Sequence, residues 1–475
     1  MRETRYQQRI RETRERMLAA ERAAPVEAPA DAAAPPKPRL DFKQIVPIFT
    51  LTFVDVLGLT VILPLLHLYA AAYGATPVQI GLVAAAFPLA QLIGVPIMGA
   101  LSDRYGRKPL LLISQLSTFV GFLMLASAQS LEMVILSRVV DGLFGANLAT
   151  AQAAITDVTD ERTRAQGLGL TGAAFGLGFL FGPAIALFSL EISDSLATPA
   201  LTAAGYSLMS ILLTLFMFRE TLPPEQRAKV FRPVFALFGG WRIASRTALR
   251  PLIGLMFAQQ VIFFGFESLL GLFILSRLGF LGQGSAIIFI YVGLILVYVQ
   301  ARLIGRWSRK YGERRLLFVA LAALSSGLML VALTPASPHP LYVQRGVERA
   351  LRDLAPTSTE AIIGALPITL PQDSARGFGG ILWFALAAIP LAVGAGLIRP
   401  ALNSLMIKAG GADERGAILG VSAAAVSLAD AIAPLLGGAI FQALGASAPF
   451  ALGGVVMGAL LVVSLRVVRP APSTA

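Results

Sequence analysis

The 475 residues contain no cysteine and only two histidines. The first absence excludes disulfides, thiol nucleophiles and Cys-ligated metals. The second leaves no histidine cluster at metal-ligand spacing, because His67 lies in an apolar run and His339 in a loop. Neither a metal nor a cofactor is expected. Charge is scarce as well, at 14% of residues, and no G-x-x-x-x-G-K-[ST] loop for nucleotide phosphates occurs. What fills the chain is apolar: 56% of residues are hydrophobic and the mean hydropathy is +0.73. A water-soluble fold of this size could not cover so much apolar surface. A bilayer removes the difficulty by acting as solvent.

The net charge of +12 would suit nucleic acid, but it sits in short segments between apolar runs and not on one domain face, so nucleic acid is excluded as a partner. Residues 2–22 alternate Arg and Glu and read either as a solvated or surface-seeking basic helix or as a basic tail without fixed structure. Residues 23–39 are an Ala/Pro-rich linker. No cleavable leader is visible, so the first span is expected to do the targeting itself. Twelve apolar runs are then long enough to cross a core of about 30 Å at about 1.5 Å per residue. They fall near 45–69, 79–101, 109–128, 132–154, 165–188, 200–218, 252–275, 284–303, 315–333, 380–405, 416–440 and 448–467. The expected fold class is an all-α membrane protein of twelve spans.

Loop charge sets the orientation. With the N-terminus cytoplasmic, 32 of the 39 Lys and Arg lie on the inner side, and five (Arg277, Arg345, Arg349, Arg352, Arg376) on the outer. That bias puts both termini inside and requires an even number of spans. The hydrophilic stretch 219–250 divides the spans six and six. An internal repeat supports the division: Gly99-Ala-Leu-Ser-Asp-Arg-Tyr-Gly106 aligns with Gly305-Arg-Trp-Ser-Arg-Lys-Tyr-Gly312, and Asp160-Glu-Arg162 with Asp413-Glu-Arg415. The second offset is larger, which places an insertion between spans 9 and 10. The expected organisation is a tail and linker (1–43), a six-helix bundle (44–218), a cytoplasmic linker (219–250), a second bundle (251–467) with an external insertion (334–379), and a short tail (468–475). The insertion carries an amphipathic segment from Val343 to Leu354 that suits a small cap.

Three segments resemble the major facilitator superfamily, and within it the proton-coupled drug antiporters that include the tetracycline efflux carriers. The first is Gly99 to Pro109, with Asp103, Arg104, Gly106, Arg107 and Lys108. The second is Arg138-Val-Val-Asp141-Gly142 in span 4, with Asp157 at its cytoplasmic end. The third is Gly169, Gly178, Gly182 and Pro183 in span 5, with Ala186-Leu187 where the antiporter pattern closes on glycine. Asp55-Val-Leu-Gly58 and Pro64 in span 1 are also similar to the tetracycline carriers. The close match covers roughly residues 45–220. The resemblance implies two pseudo-symmetric bundles, alternating access, a coupling role for Arg138, and a contact between Asp103 and a second-half helix, span 11, that latches the cytoplasmic side.

Ionisable side chains inside spans cost on the order of 3 kcal/mol each to insert at mid-helix, so they usually face the protein interior and work. The set is Asp55, Arg138, Asp141, Glu267, Arg399 and Asp430, with Glu132 and Asp157 as weaker members near span ends. Asp55 is the first candidate for exchanging a proton or substrate, and Glu267, in the first helix of the second half, is the second. Each could instead be a structural hydrogen-bonding group. Arg138 and Asp141, three apart, share a helix face and can pair, either as static neutralisation or as a competition that releases Arg138. Gln259, Gln260, Asn147, Gln152 and Asn403 are candidate cavity polar groups. Gly142, Gly145 and Ala149 on span 4, and Gly178, Gly182 and Pro183 on span 5, form small-residue stripes suited to close packing and a bendable contact between halves. The leading expectation is a monomeric secondary transporter that exports a small, drug-like solute in exchange for protons. A symporter or uniporter for a sugar or organic anion keeps the fold, with Arg138 and Arg399 favouring an anion. A receptor or scaffold would have little reason to retain charges inside its spans. No nucleophile–base or metal-ligand set suggests an enzyme.

Overall fold

The computed structural model describes residues 42–160, 163–193, 195–230, 249–353, 368–409 and 415–467. All regular structure in them is helical. The first helices are α1 (Phe42–Ile62), α2 (Leu66–Ala71), α3 (Pro77–Tyr105), α4 (Arg107–Ala126), α5 (Leu131–Phe144), α6 (Asn147–Asp157), α7 (Arg164–Ile192) and α8 (Ala197–Phe216). Then come α9 (Arg250–Leu278), α10 (Gly282–Tyr298), α11 (Ile304–Ala332), α12 (Gln344–Asp353), α13 (Gly379–Ala409), α14 (Arg415–Leu444) and α15 (Ala448–Val467). Eleven helical segments are long and apolar enough to cross a bilayer, and α10 is a shorter apolar helix. α10 runs through a π-helical turn, Val299–Leu303, directly into α11. The basic tail, most of the central linker and part of the outer insertion (354–367) lie outside the described residues.

Local chemistry explains the ends. Thr76 and Gln79 form a reciprocal capping box at the start of α3, with Pro77 in the first turn, where its missing N–H is not needed. The stretch expected to be a loop between spans 2 and 3 is helix on both sides of a single residue, Gly106, whose φ of 107° suits glycine alone. Its repeat partner Gly312 breaks α11 in the same way, at φ 75°. The internal repeat is therefore also a repeat of backbone conformation.

The side chain after each of these glycines is clasped to the end of a neighbouring helix. Arg107 bonds Asp157 at 2.9 Å, and Lys408 bonds Glu313 at 2.7 Å, so the polarity is reversed between the two copies. These clasps mark a basic end of the molecule. The opposite, cap end carries the segment around α12. There Tyr342 is fully buried, its hydroxyl donates to the Pro371 carbonyl, and His339 stacks on Phe280.

α3 packs on α14, and α7 on α10. At the cap end the α3–α14 seam is backbone against backbone: an added Cβ on Gly81 would meet the Pro434 carbonyl, and one on Gly438 the Pro77 carbonyl. Toward the basic end, a Cβ on Gly99, Gly169, Gly172 or Gly420 would meet nothing within 4 Å. Large apolar side chains such as Phe188, Phe216 and Leu386 stand on the outer surface, as lipid contact requires.

Candidate functional site

Span 4 is not one helix. Gly145 (φ −73°, ψ 72°) leaves the helical region and separates α5 from α6. The freed backbone groups are met by side chains from adjacent helices: Gln91 donates to the Gly145 carbonyl at 2.9 Å, and the Ala146 N–H donates to Ser114 Oγ at 2.7 Å. Backbone interrupted at membrane depth needs such partners. The break sets Asn147 at the first position of α6, where its Nδ2 donates to Asp55 Oδ1 on α1 at 2.8 Å. Thr118 Oγ1 on α4 lies 3.4 Å from the same nitrogen.

Behind this pair, Arg138 and Asp141 face each other at 3.5 Å and are 3% and 2% exposed. The Arg138 guanidinium also lies over the Phe122 ring at 5.3 Å. A charge pair this deep is retained only where its surroundings hold it. Asp141 is within electrostatic reach of Asp55.

The second half holds a related cluster. Gln260 Nε2 on α9 donates to Asp430 Oδ1 on α14 at 2.7 Å. Glu267, two turns along α9, is within electrostatic reach of Asp430 and of Arg399 on α13. Arg399 is exposed and makes no ion pair within 4 Å among the described residues. Glu267 is the one ionisable side chain lining a narrow apolar hollow. Phe263, Phe266, Phe289 and Leu391 line it too, with Phe179 contributed by α7. Gln259, by contrast, is spent inside its own helix, donating to the Met256 carbonyl. Asn403 accepts from Ser422 at 3.2 Å and ties α13 to α14. The backbone carbonyl of Gln152 accepts from Thr156, and its side chain has no hydrogen bond among the described residues.

At the basic end, Arg107 joins Asp103 and Asp157. Asp103 is thus bound within its own half. The residues just before α14, where the latch contact was expected, lie outside the described residues. The carboxylate that does sit at a helix N-terminus is Glu220, which accepts from the N–H groups of Arg107 (2.8 Å) and Lys108 (3.2 Å) at the start of α4. Lys108 Nζ reaches the Leu215 carbonyl, and Arg104 lies over Tyr105. Sequence reasoning missed Glu220; the available signal was a lone acid shortly before Pro223-Pro224 where a span ends. It also missed Gln91, Ser114 and Thr118, ordinary polar residues whose meaning depends on the break they support.

One packing expectation needs correcting. Gly178 and Gly182 face Val56 and Thr60 of α1, not the second half. Their small size brings α7 onto the helix that carries Asp55. The α7 surface that meets the second half includes Phe179 and Leu180 against Gly293 of α10, Leu190 against Gly282, and Glu191, which accepts from Gln283. Similarly, Gly142 lets α5 approach the Phe87 carbonyl of α3, whereas Gly145 forms the break.

Residues 48–344 match the family model described as Major Facilitator Superfamily. The chain is 26% identical over 395 residues to the tetracycline resistance protein, class B, of Escherichia coli, covering 82% of this chain and 87% of that one. It is 30% identical over 387 residues to the human major facilitator superfamily domain-containing protein 10, covering 78% and 74%. Among solved structures, the human organic anion transporter MFSD10 (TETRAN) superposes with a TM-score of 0.62 at 21% identity, over 90% of this chain and 99% of that one. The nucleoside transporter NupG gives 0.65 at 12% identity, over 91% and 100%. These two likenesses concern the fold.

Proposed function

Starting from the fact that this chain belongs to the major facilitator superfamily and is an integral, multi-pass membrane protein, we propose that it exports small drug-like solutes in exchange for protons by alternating access. The observation that carries this reading is the pairing of a carboxyl group with an amide donor inside the spans of each half, Asp55 with Asn147 and Asp430 with Gln260. A carboxyl held this way, away from bulk water and beside a second acid, is a group that can take up and release one proton. Glu267 then places a third carboxyl beside an aromatic, apolar lining, the kind of surface an organic solute meets once the halves move apart.

In this reading α10 with its π turn is the twelfth span. The spans divide into bundles 44–218 and 251–467, joined by the linker 219–250. Both termini are cytoplasmic, and the protein acts as a monomer in the plasma (inner) membrane. The cap end faces outward and is closed at the glycine seams, so the basic end is the open one. Arg107, Asp157 and Glu220 hold the inner ends of α4 and α6 as one block that moves with the first bundle. Names among the relatives, tetracycline and multidrug resistance proteins, support a drug-like cargo.

Arg399, exposed beside Glu267, favours a second reading in which the cargo is an organic anion. The direction of proton movement separates the two. Proteoliposomes holding the full chain are given tetracycline or fluorescein, and the internal pH is followed. Exchange acidifies the compartment that tetracycline leaves. Asp55→Asn should reduce this pH-driven flux on the order of a hundredfold while the protein still inserts. Undiminished flux in that variant would remove Asp55 from the mechanism.

A further inference from the structure

Asn147 holds a position no other polar residue of the first half shares. It is the first residue after the break between α5 and α6, and its amide points at Asp55. The amide nitrogen is engaged, with Asp55 Oδ1 at 2.8 Å and Thr118 Oγ1 at 3.4 Å. The amide oxygen is buried and has no donor. A buried carboxamide oxygen without a partner is costly and uncommon. Nothing on the oxygen side fixes the group in its present sense, so what Asp55 offers decides which way it faces.

An ionised carboxylate only accepts, whereas a protonated one also carries an O–H donor. We propose that Asn147 is a positioning residue that reads the protonation state of Asp55: its NH₂ donates to the carboxylate, and, turned over, its oxygen accepts from the carboxylic acid. The hydroxyl of Thr118 now donates to the Ser114 carbonyl at 3.2 Å and accepts from the amide; in the turned-over sense it would swing its one proton from that carbonyl to the Asn147 oxygen. The read-out lies in the break itself. Asn147 is the first residue of α6, so turning its side chain changes the hydrogen bond that ties α1 to the interrupted backbone, and a proton on Asp55 is felt at Gly145 and Ala146. The bond to the carboxylate is charge-assisted and is the stronger of the two.

Few other groups compete for this role. Asp141 on α5, with Arg138 behind it, is the charged pair facing Asp55. α8 carries no charged side chain. The charged residues of α7, Arg164 and Glu191, are at its two ends. α6 has Asp157 at its far end, held by Arg107.

The inference rests on Asp55 being a proton-carrying group, and one experiment tests the two separately. The purified full-length protein in lipid nanodiscs is titrated by infrared spectroscopy in the carboxylic C=O stretch region, without any transported solute. The band that Asp55→Asn removes belongs to Asp55. Asn147→Leu, the same size without hydrogen bonds, should move the midpoint of that band upward by about one pH unit, the roughly tenfold excess of the charge-assisted bond over the neutral one. It should also abolish the amide I change that accompanies the titration. Asn147→Gln, which keeps the amide, should return the midpoint at least half way, and it gives the reading if the leucine variant does not fold. An unmoved midpoint in both variants, with only thermal stability lowered, overturns the assignment of Asn147 and leaves Asp55 in place. Absence of any titrating band sensitive to Asp55→Asn instead overturns the proton-carrying reading of Asp55 on which it stands.

Discussion

The two halves answer the same problem with different degrees of enclosure. In the first, Asp55 meets an amide at 2.8 Å, and the nearby arginine, Arg138, is sealed against Asp141 and the Phe122 ring. In the second, Asp430 meets an amide at 2.7 Å, but the arginine, Arg399, stands exposed, and Glu267 borders a hollow. A buried pair cannot be offered to a solute without first being broken, whereas an exposed cation can. Under the proposed function, the first half would handle the proton and the second would meet cargo. Inverted polarity of the basic-end clasps, Arg107–Asp157 against Glu313–Lys408, shows that the copies kept the positions of their contacts while exchanging the chemistry.

The largest effect that would break this comparison concerns the two arginines. Arg138→Gln leaves Asp141 as an uncompensated buried charge and should cost about 3–5 kcal/mol of stability, measured as a lower Tm in detergent. A Tm within a degree of the parent would mean that the first half is not sealed. Arg399→Gln should leave Tm unchanged, since an exposed arginine without an ion pair contributes little to stability. Its expected effect is on cargo: a KM for an anionic dye raised roughly tenfold, the worth of one charge-assisted bond, with kcat kept. Equal losses for tetracycline and the dye would count against a cargo-facing role.

The smallest effect is at the cap. The Gln344 N–H donates to Asp373 at 2.9 Å and, with Arg376 beside it, holds that carboxyl below the usual carboxylate range. Its contribution is therefore present above the ordinary carboxylate pKa and is lost as pH falls through the lowered value. Asp373→Ala should speed hydrogen exchange around α12 several-fold at neutral pH, as acid does in the parent, and leave transport untouched. A transport defect would extend the second site outward to the cap.

Much of the architecture was legible because the bilayer imposes a length: apolar runs near twenty residues have few alternatives. The repeat was legible because Gly106 and Gly312 are each needed for a positive φ. The break in span 4 was not. Gly145 stands among small residues that read as packing, and what makes it a break is support from Gln91 and Ser114, far away in the chain. Asp55 and Asn147 were both singled out from the sequence, yet they are 92 positions apart, and nothing in either neighbourhood joins them. The partner of Gly178 and Gly182 was misjudged for a related reason: a small-residue stripe announces a close neighbour without saying which helix supplies it.

The seams at the cap end carry a consequence for how such a chain can diversify. Where Gly81 lies on the Pro434 carbonyl and Gly438 on the Pro77 carbonyl, the barrier to water is main chain on main chain. One added methyl group there would wedge the seal and let ions leak past without cargo. Under the proposed function, changes that widen the range of solutes are therefore expected in the side chains around Glu267, where a phenyl ring can be trimmed or enlarged while the membrane stays tight.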